Sequence, residues 1–391
     1  MNFILFDGNT RNTLLPLTFT RPVADIRIGI LTIREKWELM LGATTSTLTE
    51  DYLSTKYPMV EFASNVMINA SYNPTLSLVK KVQNLSKNEA IFKEGEIIAF
   101  YTSDLQEEVD FENYTITELE EPLLQLKNPW DIFSLNNAAI KLDFELLTKG
   151  RESQPIPDTV HCINKENIFL EEGAKVEIAV LNASKGPIYL DKNSEIMEGC
   201  MVRGPFSLGE ESVLKMGAKI YGATTLGPYC KVGGEVNNVI FFGYSNKAHD
   251  GFLGNSVIGE WCNLGADTNN SNLKNNYANV KLWYYEKEHF KDTGLQFCGL
   301  IMGDHSKCGI NTMFNTGTVV GVSANIYGGN FPRNFIPSFS WGGSAGFTEY
   351  KLNKVFEVAT KVMARKKLDF NQQEQDILKH VYNETSKYRN Y

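Results

Sequence analysis

The chain has 391 residues, of which 42% are hydrophobic and 21% charged, with a formal net charge of -8; this composition is typical of a globular protein with two or three domains. The acidic balance disfavours nucleic acid as a partner, and the sequence shows neither the roughly 20-residue apolar run of a membrane span nor the pattern of a signal peptide. Six single cysteines without a CxxC pair fit a reducing compartment, so we expect a cytoplasmic protein with no membrane partner.

Residues 1–127 predict an α/β layer domain of Rossmann-like type. Apolar runs typical of buried strands alternate with patterns typical of helices. The strand-like runs are 3–6, 66–68 and 97–101, and the helical patterns are 31–41 and 76–85. The sequence Asn-Pro-Trp-Asp at 128–131 marks a break, and 132–147 has the pattern of an amphipathic helix. We therefore expect residues 128–154 to form a linking helix.

The central region follows a period of six residues. An aliphatic or small apolar side chain returns at every sixth position, often followed by glycine. The series comprises Leu190, Ile196, Val202, Leu208, Leu214, Ile220, Leu226, Val232, Ile258, Leu264, Met302, Cys308, Phe314, Val320 and Ile326. Neither an α-helix, with its period of about 3.6, nor a strand, with its period of two, gives this spacing. Residues 155–345 therefore predict a left-handed parallel β-helix of hexapeptide repeats, in which the recurring residue points inward.

Two interruptions of the repeat are candidates for functional segments. The phase is lost after Val232 and recovered by Ile258, and a break in a strict repeat costs packing, so it invites a functional explanation. The second interruption is an excursion at 266–299, rich in asparagine and aromatic residues; long loops on a rigid scaffold often carry binding groups. Residues 346–391 then show helical patterns, which we expect to cap the open end of the β-helix.

The interruptions hold the residues best suited to chemistry. His249 lies in the first, and a neutral imidazole accepts a proton from an attacking amine or hydroxyl near pH 7. The excursion begins with amide side chains, among them Asn272, and continues with the cations Lys274 and Lys281. Amides together with cations favour a phosphorylated polar substrate. His305 falls on an outward side of the repeat, where we expect solvent.

The segment around His249 resembles the acetyltransferase domain of the GlmU family, whose bifunctional members join a glucosamine-1-phosphate N-acetyltransferase to an N-acetylglucosamine-1-phosphate uridyltransferase. Glu235 precedes His249 by fourteen residues, as a Glu precedes the catalytic His in that family. Residues 250–254, Asp-Gly-Phe-Leu-Gly, correspond to Leu-Thr-Tyr-Leu-Gly. Residues 263–268, Asn-Leu-Gly-Ala-Asp-Thr, followed by Asn272, correspond to Asn-(Ile/Val)-Gly-Ala-Gly-Thr…Asn.

The resemblance implies an acetyl-CoA-dependent N-acetyltransferase acting on an amino-sugar phosphate, in the synthesis of nucleotide-sugar precursors of the cell envelope. His249 would be the general base and Asn272 the second catalytic residue. The residues that would bind the sugar phosphate are Lys219, Glu235, Phe252 and Lys281. Lys219 takes the place of a phosphate-binding Arg, which keeps the charge but loses the bidentate fork, and Phe252 takes the place of a Tyr.

The same resemblance implies the partners of the reaction. Acetyl-CoA is the co-substrate, and the acetyl transfer itself needs no metal. Pantetheine would lie in a groove between neighbouring prisms, so a homotrimer is the expected assembly. Arg333 is a candidate for binding the phosphates of CoA.

The N-terminus resembles sugar-nucleotide pyrophosphorylases. Residues 7–11, Asp-Gly-Asn-Thr-Arg, follow a strand where that family has Gly-x-Gly-Thr-Arg, and residues 15–22 include its Pro-Leu-Thr-x-x-Arg-Pro motif. The resemblance implies that Thr10, Arg11 and Arg21 bind a nucleotide, because such loops cradle phosphates and an Arg stabilises their charge.

Departures from this pattern predict a changed N-terminal activity. Asp7 and Asn9 replace both loop glycines, and an acidic side chain repels a triphosphate. The domain is also about half the usual size. We therefore expect a shortened domain whose transferase activity is weakened, altered or absent, with Mg²⁺ as cofactor only if the domain is active.

Two other functions fit the sequence. One is an active sugar-1-phosphate nucleotidyltransferase, uridylyl- or thymidylyl-transferring, whose β-helix serves trimerisation alone. The other is a non-enzymatic sensor or scaffold for sugar nucleotides. Arg11 and Arg21 fit an ordinary structural role as well as they fit nucleotide binding.

Overall fold

The first domain is the predicted α/β layer structure. The computed structural model describes residues 1–103 and 109–391. Its first strands are β1 (Asn2–Phe6), β2 (Thr45–Leu48), β3 (Asn65–Asn69), β4 (Glu89–Lys93), β5 (Glu96–Thr102) and β6 (Thr115–Glu118), and its first α-helices are α1 (Thr10–Thr13), α2 (Ile33–Leu41), α3 (Asp51–Ser54) and α4 (Leu76–Gln83). The sheet has the order β2-β1-β3-β5-β4-β6, with β1 parallel to both neighbours and β5 antiparallel to its own.

Two helices lead from this sheet to the solenoid. Helix α5 (Pro129–Ser134) begins with proline in its first turn, where a missing N–H costs nothing, and α6 (Asn136–Thr148) follows it. The side chain of Asn136 accepts a hydrogen bond from the Gly29 amide at 2.7 Å and donates one to the Ala223 carbonyl at 2.9 Å. The two helices are therefore fastened to the first domain and to the solenoid at once.

The solenoid has three faces of parallel strands. The first face comprises β7 (His161–Ile163), β10 (Val180–Asn182), β13 (Met201–Arg203), β16 (Lys219–Tyr221) and the first parts of β19 (Glu235–Gly243) and β21 (Phe252–Glu260), and is continued by β23 (Asn269–Asn270) and β28 (Met313–Phe314). The second face comprises β8 (Ile168–Leu170), β11 (Ile188–Leu190), β14 (Phe206–Leu208), β17 (Thr224–Leu226), the later parts of β19 and β21, β26 (Leu300–Met302), β29 (Thr318–Val320) and β31 (Phe335–Ile336). The third face comprises β9 (Lys175–Val176), β12 (Glu195–Ile196), β15 (Val213–Leu214), β18 (Lys231–Val232), β20 (Asn246–Lys247), β22 (Asn263–Leu264), β27 (Lys307–Cys308), β30 (Asn325–Ile326) and β32 (Ser340–Gly343).

The six-residue period identified the inward side chains. Every member of the series from Leu190 to Ile326 is buried in the apolar core of the solenoid. Stacking of like residues on successive coils removes their apolar surface from water. This burial stabilises the folded chain by roughly 25 cal/mol per Å² of surface buried. The prediction of a parallel β-helix is therefore confirmed.

The first interruption breaks the period of six, as expected, but it does not interrupt the solenoid. Leu214 pairs with Val232, eighteen residues on, whereas Val232 pairs with Lys247, only fifteen residues on. The coils shorten at their corners, and Val236, Phe241 and Leu253 still point inward. The repeat continues with fewer corner residues, which a search for a fixed spacing of six cannot detect.

The first domain covers the second face. Outward residues of that face are apolar and share one buried cluster with the core of the first domain; they include Ile240, Phe242, Val257, Ile301 and Val319. The excursion forms the antiparallel hairpin β24 (Lys281–Tyr284) and β25 (His289–Asp292) and joins the same cluster, where Tyr285 meets Phe19 edge to face at 5.3 Å. The second face is therefore an internal surface of the molecule.

The C-terminal helices lie beside the solenoid. Helix α8 (Gln372–Glu384) follows α7 (Leu352–Ala364) and packs on the first domain, where the His380 ring stacks on Tyr52 at 3.8 Å. The end of the solenoid is covered instead by the hairpin of β32 and β33 (Gly346–Glu349), which buries Phe347 against the last coils. Of the helices in the described ranges, none is long and apolar enough to cross a membrane.

The expectation that His305 faces solvent was wrong. Its side chain is 8% exposed, lies parallel to the Trp261 ring at 6.3 Å and is covered by Phe370. Burial lowers the pKa of His305 to about 3, so the imidazole is neutral in the folded protein. The position does point away from the solenoid axis, but the segment between α7 and α8 covers it.

Candidate active site

Three of the predicted binding residues form one outward row on the first face. Lys219 pairs with Glu235, and Glu235 pairs with Phe252. Neighbouring strands are about 4.8 Å apart, so the three side chains stand side by side. The parallel strands of successive coils thus bring together residues that are distant in the chain.

The carboxylate of Glu235 is held in place by its neighbours. Its Oε1 accepts a hydrogen bond from the Tyr221 hydroxyl at 2.6 Å, and its Oε2 lies 4.0 Å from Nζ of Lys219. Burial and the adjacent Glu235 raise the pKa of Tyr221 to about 12, so this hydroxyl remains a donor at neutral pH. With Arg203, these side chains line a groove of about 740 Å³ along the first face.

His249 stands at the corner that leads from the third face to the first. It is exposed and lines a shallow pocket of about 410 Å³ together with Gly233, Gly234, Asp250 and Asp267. Strand β21 begins three residues later with Phe252. The imidazole is therefore accessible at one edge of the first face.

Asn272 stands at the other edge. Its Nδ2 donates to Oδ1 of Asn255 at 2.8 Å, and Asn255 follows Phe252 and Gly254 along β21. A Cβ on Gly254 would lie 2.6 Å from both the Phe252 ring and Nδ2 of Asn272, so only glycine lets these two groups approach. The Phe252 ring and Nδ2 of Asn272 therefore lie close together, whereas His249 precedes this part of β21 and Asn255 follows it.

Lys281 and Arg333 lie outside this row. Lys281 is an exposed residue at the start of β24 on the excursion. Arg333 is exposed in the loop before β31, with its guanidinium 5.6 Å from the Phe347 ring. It stands near a glycine-rich pocket of about 590 Å³ that is lined by Gly328, Gly329 and the β32–β33 hairpin.

The predicted nucleotide loop lines a second pocket, of about 430 Å³, in the first domain. Asp7 accepts hydrogen bonds from the Val23 amide at 2.7 Å and the Thr49 hydroxyl at 2.5 Å, and burial raises its pKa to about 6. Nη2 of Arg11 donates to the Tyr52 hydroxyl at 2.6 Å, and its Nη1 lies 3.5 Å from Glu50. Both side chains are thus occupied by partners within the chain.

The other two nucleotide candidates have structural surroundings. Thr10 is buried at the start of α1, where its carbonyl accepts from the Leu14 amide. Arg21 is 4% exposed and lies outside the pocket, where it contacts the solenoid. It pairs with Asp304 and, at 3.1 Å, with Glu260, and it lies over the Phe242 ring.

The second pocket contains the carboxylates of Asp7 and Glu50. Asp7 accepts hydrogen bonds from Val23 and Thr49, and one oxygen of Glu50 faces Arg11 at 3.5 Å, so both carboxylates have partners within the chain. Within the described ranges, no group of three or more His, Cys, Asp or Glu side chains is arranged to hold a metal ion.

Residues 3–152 match the model of a protein family described as sugar nucleotidyl transferase. The chain is also similar to the bifunctional protein GlmU of Cyanothece sp. (strain PCC 7425 / ATCC 29141), with 22% identity over 53% of this chain and 46% of that protein. A bifunctional sugar-1-phosphate nucleotidylyltransferase/acetyltransferase of Sulfurisphaera tokodaii is 26% identical over 55% of this chain and 47% of its own length. The chain thus spans about half the length of these curated relatives, and the resemblance to the GlmU family is confirmed.

A solved structure, that of Arabidopsis UDP-N-acetylglucosamine acyltransferase, matches 59% of this chain and 92% of its own at 12% identity, with a TM-score of 0.24.

Two residues of the site were not predicted from the sequence. They are Tyr221, which donates a hydrogen bond to Glu235, and Asn255, which accepts one from Asn272. Their signal is positional: Tyr221 is the outward residue two places after Lys219, and Asn255 has a positive φ at a shortened corner.

Proposed function

We propose that the first face transfers the acetyl group of acetyl-CoA to the amine of an amino-sugar phosphate. The observation that carries this proposal is the row of Lys219, Glu235 and Phe252, flanked by His249 and Asn272. A cation suits the phosphate, a carboxylate suits the polar substituents of the sugar, and an aromatic ring suits its apolar face. The similarity to bifunctional acetyltransferases supports the same reaction class.

In this reaction the amine nitrogen attacks the thioester carbon, the carbon–sulfur bond breaks and the amine loses a proton. The imidazole of His249 accepts that proton and returns it to the departing CoA thiolate, so the enzyme ends the cycle unchanged. One N–H of the Asn272 amide is bound to Asn255. Its second N–H is the donor we assign to the charge that develops on the thioester oxygen.

The ends of the two substrates are assigned to cations. We assign the sugar phosphate to Lys219 and Lys281, and the phosphates of CoA to Arg333. All three side chains are exposed, so their ammonium and guanidinium groups can exchange water for phosphate oxygens. Glu235 and Tyr221 bind the hydroxyl groups of the sugar.

We propose that a complete site is shared between copies of the chain. His249 and Asn272 stand on opposite edges of the first face, and we infer that a single sugar phosphate contacts one from each of two subunits. We propose a homotrimer in which the edge with His249 meets the Asn272 edge of a neighbour. Mixing inactive His249→Gln and Asn272→Ala subunits would then restore activity, because some interfaces carry both native residues. No restoration in mixed trimers, with sedimentation confirming exchange, would contradict the shared site.

The acetyl transfer is tested by thiol release from acetyl-CoA with glucosamine 1-phosphate, galactosamine 1-phosphate and other amino-sugar phosphates. We expect turnover with one member of the panel and a loss of about 10²–10⁴-fold in kcat for His249→Gln, the usual contribution of a general base. His289→Gln is the matched control, because His289 is an exposed histidine on β25, outside the row. Equal rates for the wild type and His249→Gln across the panel would reject the proposal.

A second activity is favoured by the family match over residues 3–152. We propose that the pocket of Asp7 and Arg11 binds a sugar nucleotide or nucleoside triphosphate with weakened turnover. Both residues already have partners within the chain, which supports the reduced activity. Magnesium-dependent pyrophosphate release from UTP or dTTP with a sugar 1-phosphate measures it, and Arg11→Ala should abolish any rate that is found. A rate equal to the acetyl transfer would contradict the weakened state.

A further inference from the structure

A lysine occupies an inward position of the solenoid. Lys247 pairs with Val232, and the next coil has Leu264 at this place. Its side chain is only 1% exposed. Burial lowers the pKa of Lys247 to about 8. An ammonium group in an apolar core is costly unless it is hydrogen-bonded, so its partners indicate what the position is used for.

The ammonium group connects two corners of successive coils. Its Nζ donates to the carbonyl of His249 at 2.9 Å and to the carbonyl of Gly233 at 3.3 Å. The Gly233 amide donates in turn to the Lys247 carbonyl at 2.7 Å. The charged and titratable groups around it are Asp250, Asp267 and Cys308. The lysine thus holds the corner that carries His249 against the corner before it.

The backbone at this corner is unusually close-packed. Gly234 has a φ of +75°, and a Cβ there would lie 2.9 Å from Cα of Asp250 and 3.0 Å from the His249 carbonyl oxygen. The Glu235 amide donates to the Gly251 carbonyl at 3.3 Å. The position of His249 relative to Glu235 therefore depends on contacts that the Lys247 ammonium completes from inside.

We propose that Lys247 is a positioning residue for the acetyl transfer: its buried ammonium fixes the backbone of His249 and so aims the imidazole at the first face. The inference rests on the proposed function, because it assigns a task to the residue that orients the base. Lys247 itself faces the interior and touches neither substrate.

The chain contains a matched control in Lys307. Its Nζ donates to the His305 carbonyl at 2.9 Å and to the Trp261 carbonyl at 3.4 Å, and burial lowers its pKa. The two lysines share the pattern of a largely buried ammonium on two corner carbonyls. The corner of Lys307 carries the buried His305, whereas that of Lys247 carries the exposed His249. A general effect of removing a buried lysine would appear in both.

The experiment compares Lys247→Met with Lys307→Met in the full-length chain, with thermal stability, kcat and both KM values as readouts. We expect both variants to fold, Lys247→Met to lose at least tenfold in kcat while its KM for acetyl-CoA changes less than twofold, and Lys307→Met to keep kcat within twofold. Should Lys247→Met not fold, Lys247→Leu carries the test, since it copies Leu264 in the next coil.

The outcomes separate the two proposals. An inactive wild type would overturn the acetyl transfer, and with it the role of Lys247. An active wild type with unchanged kcat in Lys247→Met, or with equal losses in both lysine variants, would overturn the positioning role alone. Partial activity in Lys247→Gln, which keeps an N–H donor, would support it, because a purely packing role predicts no advantage of Gln over Met.

Discussion

The second and first faces of the solenoid have the same backbone but different uses. On the second face the outward residues are apolar and covered by the first domain, and polar groups at its border, such as Arg21, have partners within the chain. On the first face Lys219 is exposed in a groove along the strands, and His249 is exposed in a separate shallow pocket at the edge of the face. Motif residues that border the second face thus hold the two domains together, whereas those on the first face remain open to a ligand. The difference shows why a motif residue has to be judged by its partners.

The largest effect on this comparison is expected from Arg21→Met. The change leaves Asp304 buried and unpaired at the border of the second face, and breaking such a pair costs about 3–5 kcal/mol of unfolding free energy. Denaturant unfolding measures the loss. Lys354→Met, which breaks an exposed ion pair with Glu357, should cost less than about 1 kcal/mol. If Arg21→Met lost nucleotide binding without losing stability, Arg21 would be a ligand-binding residue and not a structural one.

The pH dependence of stability provides the next test. The pKa of His305 is about 3 when folded and about 6.5 when unfolded, so only the unfolded chain takes up the proton between these values. Stability from this group is complete above pH 6.5 and falls by about 3 kcal/mol by pH 4. His305→Asn, at a φ of 60° that Asn tolerates, should flatten the curve, whereas His289→Asn should not. Parallel curves for the wild type and His305→Asn would mean that the imidazole is hydrated.

The burial of His305 is also an example of a contact that the sequence pattern does not predict. The period of six identifies each inward residue because one repeat unit sets the packing of the next. The cover of the second face left a signal as well: Val257, Ile301 and Val319 directly precede inward residues and are themselves apolar. That outward apolar row predicts a partner but not which segment supplies it. Contacts such as Phe370 on His305 join segments that no periodicity connects.

The sequence predicted part of the candidate site, as it predicted part of the fold. Resemblance identified Lys219, Glu235 and Phe252, and the register of the coils placed them in one row. The inward position of Lys247 was missed because the shortened coils shift it out of the period of six. A search of the sequence that allows coils of fewer than eighteen residues, and that accepts a hydrogen-bonded lysine as an inward residue, would have found the position.

A smaller effect is expected from Asp7→Asn in the N-terminal pocket. The pKa of Asp7 is about 6 when folded and about 3.9 when unfolded, so its ionised form opposes folding above about pH 4. Asn keeps an acceptor for the Val23 amide and removes the charge. We expect a gain of just under about 3 kcal/mol at pH 7.5 and less than about 1 kcal/mol at pH 4, measured by denaturant unfolding at both pH values. Asp51→Asn, an exposed change in the same pocket, should show neither. A destabilised Asp7→Asn at pH 7.5 would mean that the carboxylate is held ionised, as an anion-repelling or cation-binding group would be.

The smallest effect should come from Lys219→Ala on the open face. Lys219 is exposed and only 4.0 Å from Glu235, so its removal leaves stability unchanged. Loss of a phosphate contact should raise KM for the amino-sugar phosphate about five- to tenfold at constant kcat, because the contact is equal in the ground and transition states. Lys219→Arg should lower KM below that of the wild type, since a guanidinium binds phosphate with two parallel hydrogen bonds. Lys192→Ala, an exposed lysine on another corner, should change neither constant. If Lys219→Ala instead lowered kcat, the residue would contact the reacting centre, and the row would run in the opposite direction along the substrate.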